Sequence, residues 1–277
     1  MKIAVLSGKG GAGKTLVAVN LARVIANATY IDCDVEEPNG RLFLKPSEVT
    51  NHDVEISLPK WDSTRCNGCK KCVDFCKFNA LIYGKRGLMV FDEVCHSCGG
   101  CALVCNEKAI SWRQKTVGII EASYHDDTRV ISGILNMNEA SGVPVIKAAL
   151  QDGRDAENTV IDCPPGSACS VMESIKDADI CVLVAEPTLF GVHNINMVYE
   201  LANVFHKKAC ILLNKCIDGD NLARDFAMEH NIPIVGAINW DKRLGELSSN
   251  GVVAVEEYPE FRALMESIKA KIWEVAE

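Results

Sequence analysis

The sequence lacks any apolar run approaching the roughly 18 residues of a membrane-spanning helix, so insertion into a membrane is not expected. It also lacks the charged start and apolar stretch of a secretory leader. Met1 runs almost directly into the apolar Ile3 to Leu6, and a cytoplasmic location is the expectation. Lys and Arg form no continuous stripe, which argues against general nucleic-acid binding. The formal charge of −8 is unevenly spread, because residues 58–117 hold ten Lys and Arg against five Asp and Glu. Cysteine is missing from Gly118 to Asn158, yet the chain has 14 of them, and eight fall between Cys66 and Cys105. In a reducing compartment such crowding points to metal ligation rather than to disulfides. At 277 residues and 48% hydrophobic content the chain can bury a sizeable core in one large domain or two.

The stretch that organises the chain is Ser7 to Thr15, SGKGGAGKT. Gly8 to Thr15 satisfy the phosphate-loop pattern GxxxxGKS/T, with an apolar strand before it, Ile3 to Leu6, and a helical pattern after it, Leu16 to Ala26. Gly8, Gly10, Gly11 and Gly13, with Ala12 between them, let backbone N–H groups close around phosphate oxygens. Lys14 is expected to reach the outer phosphates of ATP, and Thr15 to hold Mg2+. Guanine-specific sites of NKxD form use an aspartate to accept from the base. After Asn214 and Lys215 that position is Ile217, which favours adenine.

A repeat with an offset of 29 residues fills the basic segment, where CNGCKKCVDFCKFNAL aligns with CHSCGGCALVCNEKAI. Cys66, Cys69, Cys72 and Cys76 fall on Cys95, Cys98, Cys101 and Cys105, and Ala80 falls on Ala109. Each run is CxxCxxCxxxC, the spacing by which bacterial ferredoxins hold two 4Fe-4S clusters, the fourth cysteine of each run ligating the other cluster. One cluster is therefore expected on Cys66, Cys69, Cys72 and Cys105, and the other on Cys95, Cys98, Cys101 and Cys76. Zinc sites usually pair two CxxC hooks across a spacer, whereas three close cysteines and a distant fourth suit a cubane. The proline that commonly follows the fourth cysteine is Lys77 in one half and Asn106 in the other, which leaves ligation intact.

Lys9 puts a second lysine inside the phosphate loop, and KGGAGKT resembles the deviant Walker A motif of the MinD, Mrp and nitrogenase iron protein superfamily. Its members are ATPases that dimerise face to face and pass this lysine to the partner's nucleotide. The resemblance thus implies a homodimer, or a heterodimer with a related ATPase, with Lys9 and Lys14 both on phosphates. Asp34 and Asn39, in IDCDVEEPN, match the Asp and Asn of the MinD switch I segment, where the aspartate orients the attacking water and the asparagine lies near the phosphates. DCPPGS resembles switch II, in which Asp162 would hold the Mg2+ shell through water and Gly166 would respond to the γ phosphate. Glu186, Pro187 and Thr188 resemble the family's segment after the fifth strand, and Asn214 would contact the base edge. Cys169 follows Asp162 at the offset of a cluster-bridging cysteine in the nitrogenase iron protein. With no second such cysteine, it is expected to be buried and structural, like Cys33, Cys163, Cys181, Cys210 and Cys216.

Beyond the insert, apolar strands alternate with amphipathic helices, so the expected fold is α/β, a doubly wound and mainly parallel sheet with an inserted α+β ferredoxin-like domain. The ATPase domain is expected at residues 1–57 and 118–277, and the insert at 58–117. The resemblance implies a P-loop ATPase in which MgATP gates electron transfer through two clusters to a redox or iron-sulfur partner protein. The alternative is an iron-sulfur cluster assembly or carrier ATPase resembling Mrp, weighed against by the lack of any CxxC outside the repeat. A MinD-like spatial-organising ATPase is less favoured. The last helix, Glu256 to Glu277, carries more Glu than Lys and Arg, and its stripe of Phe261, Leu264, Met265, Ile268, Ile272 and Val275 is expected against the sheet rather than on a membrane.

Overall fold

Ile3 to Leu6, Ile180 to Ala185 and Cys210 to Leu213 are unbroken apolar runs, the signature of strands covered on both faces. The computed structural model, which describes all residues except 46 and 218–220, places them at the centre of one sheet. In chain order the first half contains β1 (Lys2–Leu6), α1 (Lys14–Val24), β2 (Thr29–Asp32), α2 (Gly40–Leu44), β3 (Ser47–Trp61), α3 (Lys71–Phe75), β4 (Leu81–Gly84), β5 (Gly87–Val90), α4 (Gly100–Leu103), β6 (Ile110–His125) and β7 (Thr128–Leu135). The second half contains α5 (Val143–Asp152), β8 (Thr159–Asp162), α6 (Cys169–Ile175), β9 (Ile180–Ala185), α7 (Leu189–Val204), β10 (Lys208–Cys216), α8 (Leu222–Glu229), β11 (Ile234–Asn239), α9 (Lys242–Ser249), α10 (Ala254–Glu257) and α11 (Pro259–Ala276).

The nine-stranded sheet runs β11-β10-β9-β1-β8-β2-β7-β6-β3, with every pair from β11 to β7 parallel and the last two pairs antiparallel. One face is covered through Val145, Ile146, Val171, Ile195, Val198 and Phe226, the other through Val17, Leu21, Leu244, Met265, Ile268 and Ile272. This is the doubly wound α/β fold expected. The final helical stretch is broken at Tyr258, because Pro259 has no N–H to give and starts α11 afresh. The buried stripe of α11 lies on the sheet as expected.

The insert is rooted by β3 and β6, an antiparallel ribbon that runs from Ser47 opposite Tyr124 out to Trp61 opposite Ile110. The expected domain limits at 58 and 117 fall inside these strands, so the body and the insert share them. β3 gave no sequence signal because it is the sheet edge and most of Ser47 to Asp53 is polar and exposed. At the outer end of the ribbon the insert has a small core of Leu81, Leu88 and Ile110, completed by Trp61, Tyr83 and four of the cysteines.

Candidate functional site

The loop between β1 and α1 turns at glycine. Gly11 and Gly13 lie in the left-handed region, with φ of 80° and 94°, where a side chain is strained. A Cβ on Gly10 or Gly11 would meet nothing within 4 Å, so the backbone there is open to a ligand. A cavity of about 1140 Å3 lies over the loop, lined by Gly10 to Leu16, by Asp34 to Glu37 and Asn39 after β2, by Pro164, Pro165 and Cys169 after β8, and by His96 of the insert. It sits outside the carboxyl ends of β1, β2 and β8, where open α/β sheets bind their ligands. Backbone N–H groups at the start of α1 face a site suited to phosphate.

Lys14 lies between two carboxylates, its Nζ 3.8 Å from Asp34 Oδ2 and 3.8 Å from Asp162 Oδ1. Asp162 is fully buried. Its Oδ2 accepts from the Tyr30 hydroxyl at 3.0 Å, while Oδ1 has no hydrogen-bond partner among the described residues. Burial raises the Asp162 pKa, opposed by the Lys14 charge and the Thr15 hydroxyl. An orphaned buried carboxylate oxygen beside a hydroxyl is a donor set that fits a hard divalent cation such as Mg2+. Burial pushes the Asp34 carboxyl up to about 6, although Lys14 pulls it down. Asn39 lies on the rim of the same cavity.

Asp32 and Tyr30, for which the motifs predict no role, support this site from within β2. Asp32 Oδ1 accepts from the Asp34 N–H at 3.1 Å, and Oδ2 accepts from the Gly40 N–H at 2.9 Å, so one buried carboxylate pins both ends of the segment that carries Asp34 and Asn39. Burial, then the Asp162 charge, push Asp32 well above the ordinary carboxylate range. The signal for Asp32 was present as a second acid in IDCD, but Tyr30 looks like any apolar strand residue.

The remaining loop residues are held in place by the body. Lys9 does not line the cavity, because its Nζ pairs with Glu186 Oε2 at 2.6 Å. Glu186 Oε1 also accepts from Lys215 at 2.7 Å, and Lys215 donates to the Gly11 carbonyl at 2.6 Å. Burial raises the Glu186 pKa, but hydrogen bonds from the two lysines outweigh it and hold the carboxyl below its ordinary value. Asn214 is buried beneath the loop and donates to the Ala12 carbonyl at 2.8 Å, bracing the loop instead of facing the cavity. Gly8 packs on α7 at Asn194, and the Gly166 N–H donates to the Ser7 carbonyl at 3.1 Å. Cys169 departs from expectation. It is exposed at the mouth of the cavity because it opens α6 just past the turn after β8, whereas Cys33, Cys163, Cys181, Cys210 and Cys216 are buried.

In the insert the duplication extends to the backbone. Gly68 and Ser97, Lys70 and Gly99, and Asn79 and Lys108 are paired by the repeat, and all six have positive φ. Phe75, at the end of α3, meets α4 where a Cβ on Gly100 would overlap its ring. That close approach carries Cys76 into the second half. Cys76, Cys95, Cys98 and Cys101 line one cavity, and Cys66, Cys69, Cys72 and Cys105 line another. Four cysteines around each of two apolar hollows is a donor set that fits an iron-sulfur cubane in each.

Comparison with known proteins gives three kinds of likeness. An uncharacterized protein of Methanocaldococcus jannaschii is 30% identical over 84% of this chain and 84% of its own length. The iron-sulfur cluster carrier protein of Pyrococcus furiosus is 55% identical over 96% of this chain and 83% of its own. The cell division ATPase MinD of Pyrococcus furiosus shares the fold, with a TM-score of 0.63 at 16% identity over 99% of this chain and 98% of that one. The family model described as the CobQ/CobB/MinD/ParA nucleotide binding domain matches residues 3–255, and the chain belongs to that family.

Proposed function

We propose that this protein is an ATPase of iron-sulfur metabolism that holds two 4Fe-4S clusters in its insert and uses MgATP in handling them. Membership of the family implies nucleotide hydrolysis. The observation that carries the proposal is the grouping of eight insert cysteines, four and four, around two hollows on the same body as a phosphate loop.

Gly10 to Thr15 cradle the phosphates, and Lys14 neutralises the outer ones. Thr15 and, through water, the orphaned oxygen of Asp162 would hold Mg2+, which would supply charge stabilisation at the phosphates. Asp34, fixed by Asp32, accepts a hydrogen bond from the attacking water. Lys9 leaves Glu186 and serves the nucleotide of a second protomer, identical or related. Asn39 lies near the phosphates, Gly166 responds to the γ phosphate, and Asn214 sets the loop on which adenine nucleotide is held. Little covalent work falls to the protein, whose contribution is position and charge.

Cluster carriage is the task favoured by the relatives named iron-sulfur cluster carrier proteins. Incubation of the loaded protein with an apo-acceptor, with and without MgATP, tests it. A carrier loses iron to the acceptor, and retention of all iron under both conditions rejects carriage. A second reading, electron transfer to a redox partner gated by MgATP, is favoured by the packing of Cys72, Cys76, Cys101 and Cys105 against the insert's own core, which suits resident clusters. In that case the iron stays bound and cycles between oxidised and reduced states.

A further inference from the structure

The repeat in the insert provides an internal control, because its two halves match in backbone conformation and differ at one informative side chain. Asn67 and His96 occupy equivalent positions, each directly after the first cysteine of its run. Asn67 stays within the first cysteine loop and its neighbours. Its Oδ1 accepts from the Cys69 N–H at 3.1 Å, and its Nδ2 donates to Glu107 at 3.1 Å. His96 instead stacks on Phe78, with ring centroids 3.9 Å apart and planes 18° from parallel. It lines the hollow of Cys76, Cys95, Cys98 and Cys101, and among the described residues it is the one insert residue that also lines the nucleotide cavity. The hollow of Cys66, Cys69, Cys72 and Cys105 shares no lining residue with that cavity. The loop carrying His96 is fixed to the ribbon, since Ser97 Oγ donates to the Ser57 carbonyl at 2.5 Å and Arg113 pairs with Asp92.

We propose that His96 is a positioning residue through which nucleotide is coupled to the cluster of Cys76, Cys95, Cys98 and Cys101 alone, leaving the cluster of Cys66, Cys69, Cys72 and Cys105 uncoupled. The inference rests on the reading that the insert holds two clusters and the phosphate loop binds ATP. A nucleotide and Mg2+ bring charge into the cavity that His96 lines, and the stacked pair transmits the change to the adjoining cysteine loop. Linkage makes the coupling reciprocal, so reduction of the near cluster alters nucleotide affinity by the factor by which nucleotide alters that cluster's reduction equilibrium.

The test is a dithionite titration of the anaerobically purified full chain followed by electron paramagnetic resonance, without nucleotide and with AMP-PNP plus Mg2+. Cys95→Ser and Cys66→Ser variants assign the two signals. The expected result is a shift confined to the cluster damaged by Cys95→Ser. AMP-PNP affinity should differ about tenfold between oxidised and reduced protein, equivalent to about 59 mV for a one-electron couple. His96→Asn should keep iron content while abolishing the shift and bringing AMP-PNP affinity in oxidised and reduced protein to the same value. Equal shifts in both clusters, no shift in either, or an undiminished shift in His96→Asn overturns the inference and leaves the proposed function standing. Absence of iron and sulfide, or of AMP-PNP binding, overturns the proposed function and the inference together.

Discussion

Glu186 holds two lysines at once, and this decides what the nucleotide loop does in the single chain. With Lys9 at 2.6 Å and Lys215 at 2.7 Å, the carboxylate keeps Lys9 turned away from the cavity. Lys14→Ala should lower ATP affinity by roughly 10- to 100-fold, the worth of a charged hydrogen bond, as read by calorimetry. Lys9→Ala should leave binding largely intact and abolish ATP-dependent dimerisation or hydrolysis. Full activity in that variant would make Lys9 an ordinary loop lysine. Glu186→Gln should release Lys9 and strengthen ATP-dependent dimerisation by up to about fivefold, since a half-exposed ion pair is worth about 1 kcal/mol at most. Asp34 gives a pH signature. Its folded pKa of about 6 lies above the ordinary 3.8, so its contribution to stability is complete below the lower value and lost as pH rises through the upper. Asp34→Asn should therefore stabilise the nucleotide-free protein near neutral pH by up to about 3 kcal/mol, read as a raised Tm, and do little near pH ~4. ATP hydrolysis by the wild type should fall as pH drops through about 6. A flat profile across that range would remove Asp34 from the role of water-orienting group.

Two short helices decide how the cysteines are shared. α3 and α4 touch where Phe75 lies over Gly100, and Cys76 and Cys105 follow them. Cys105→Ser should therefore damage the same cluster as Cys66→Ser, and Cys76→Ser the other, as resolved by electron paramagnetic resonance. Damage paired within each run instead of across runs would reject the crossing. Gly100→Val should force the helices apart and lower the iron content of both clusters, because the obstruction is an aromatic ring wedged between helix backbones. The ribbon of β3 and β6 matters at this scale as well. It joins the insert to the body without a linker, so the insert's orientation is set by strand register.

For the molecule as a whole, the unequal cores of body and insert set the behaviour. The sheet has two extensive buried faces, while the core cluster of the insert holds only three buried residues, Leu81, Leu88 and Ile110, the last at the outer end of the ribbon. A core of that size does not sustain a fold alone, so clusters bound as proposed would supply much of the insert's stability. Anaerobic purification should yield about eight iron and eight acid-labile sulfide per chain. Removing iron with a chelator should then expose the β4–β5 hairpin to proteolysis and hydrogen exchange while the body keeps its melting transition. A single transition shared by the loaded and stripped forms would reject this division. Stoichiometric zinc without sulfide would reject the clusters themselves.

Much of this was legible in one dimension because the chemistry is local. The phosphate loop needs contiguous glycines and Lys14, and each cysteine run holds three donors within seven positions. The unbroken apolar runs likewise announce a sheet covered on both faces, for burial leaves such strands no polar side. What only the tertiary structure decided involves partners far apart in the chain. Asp162 meets Tyr30 where the ends of neighbouring strands converge, and Glu186 reaches Lys9 from the end of the adjoining strand β9. Asn214 lies in a strand-end motif that resembles a base contact, yet the crossover of β10 places it under the phosphate loop. Cys169 reads as one more buried cysteine, but the turn after β8 puts it at the mouth of the cavity. His96 looks like a filler between two ligands, and it joins the lining of the nucleotide cavity only because the fold brings the second cysteine loop there. Motifs are set by covalent spacing, whereas proximity across the fold is set by strand order and register.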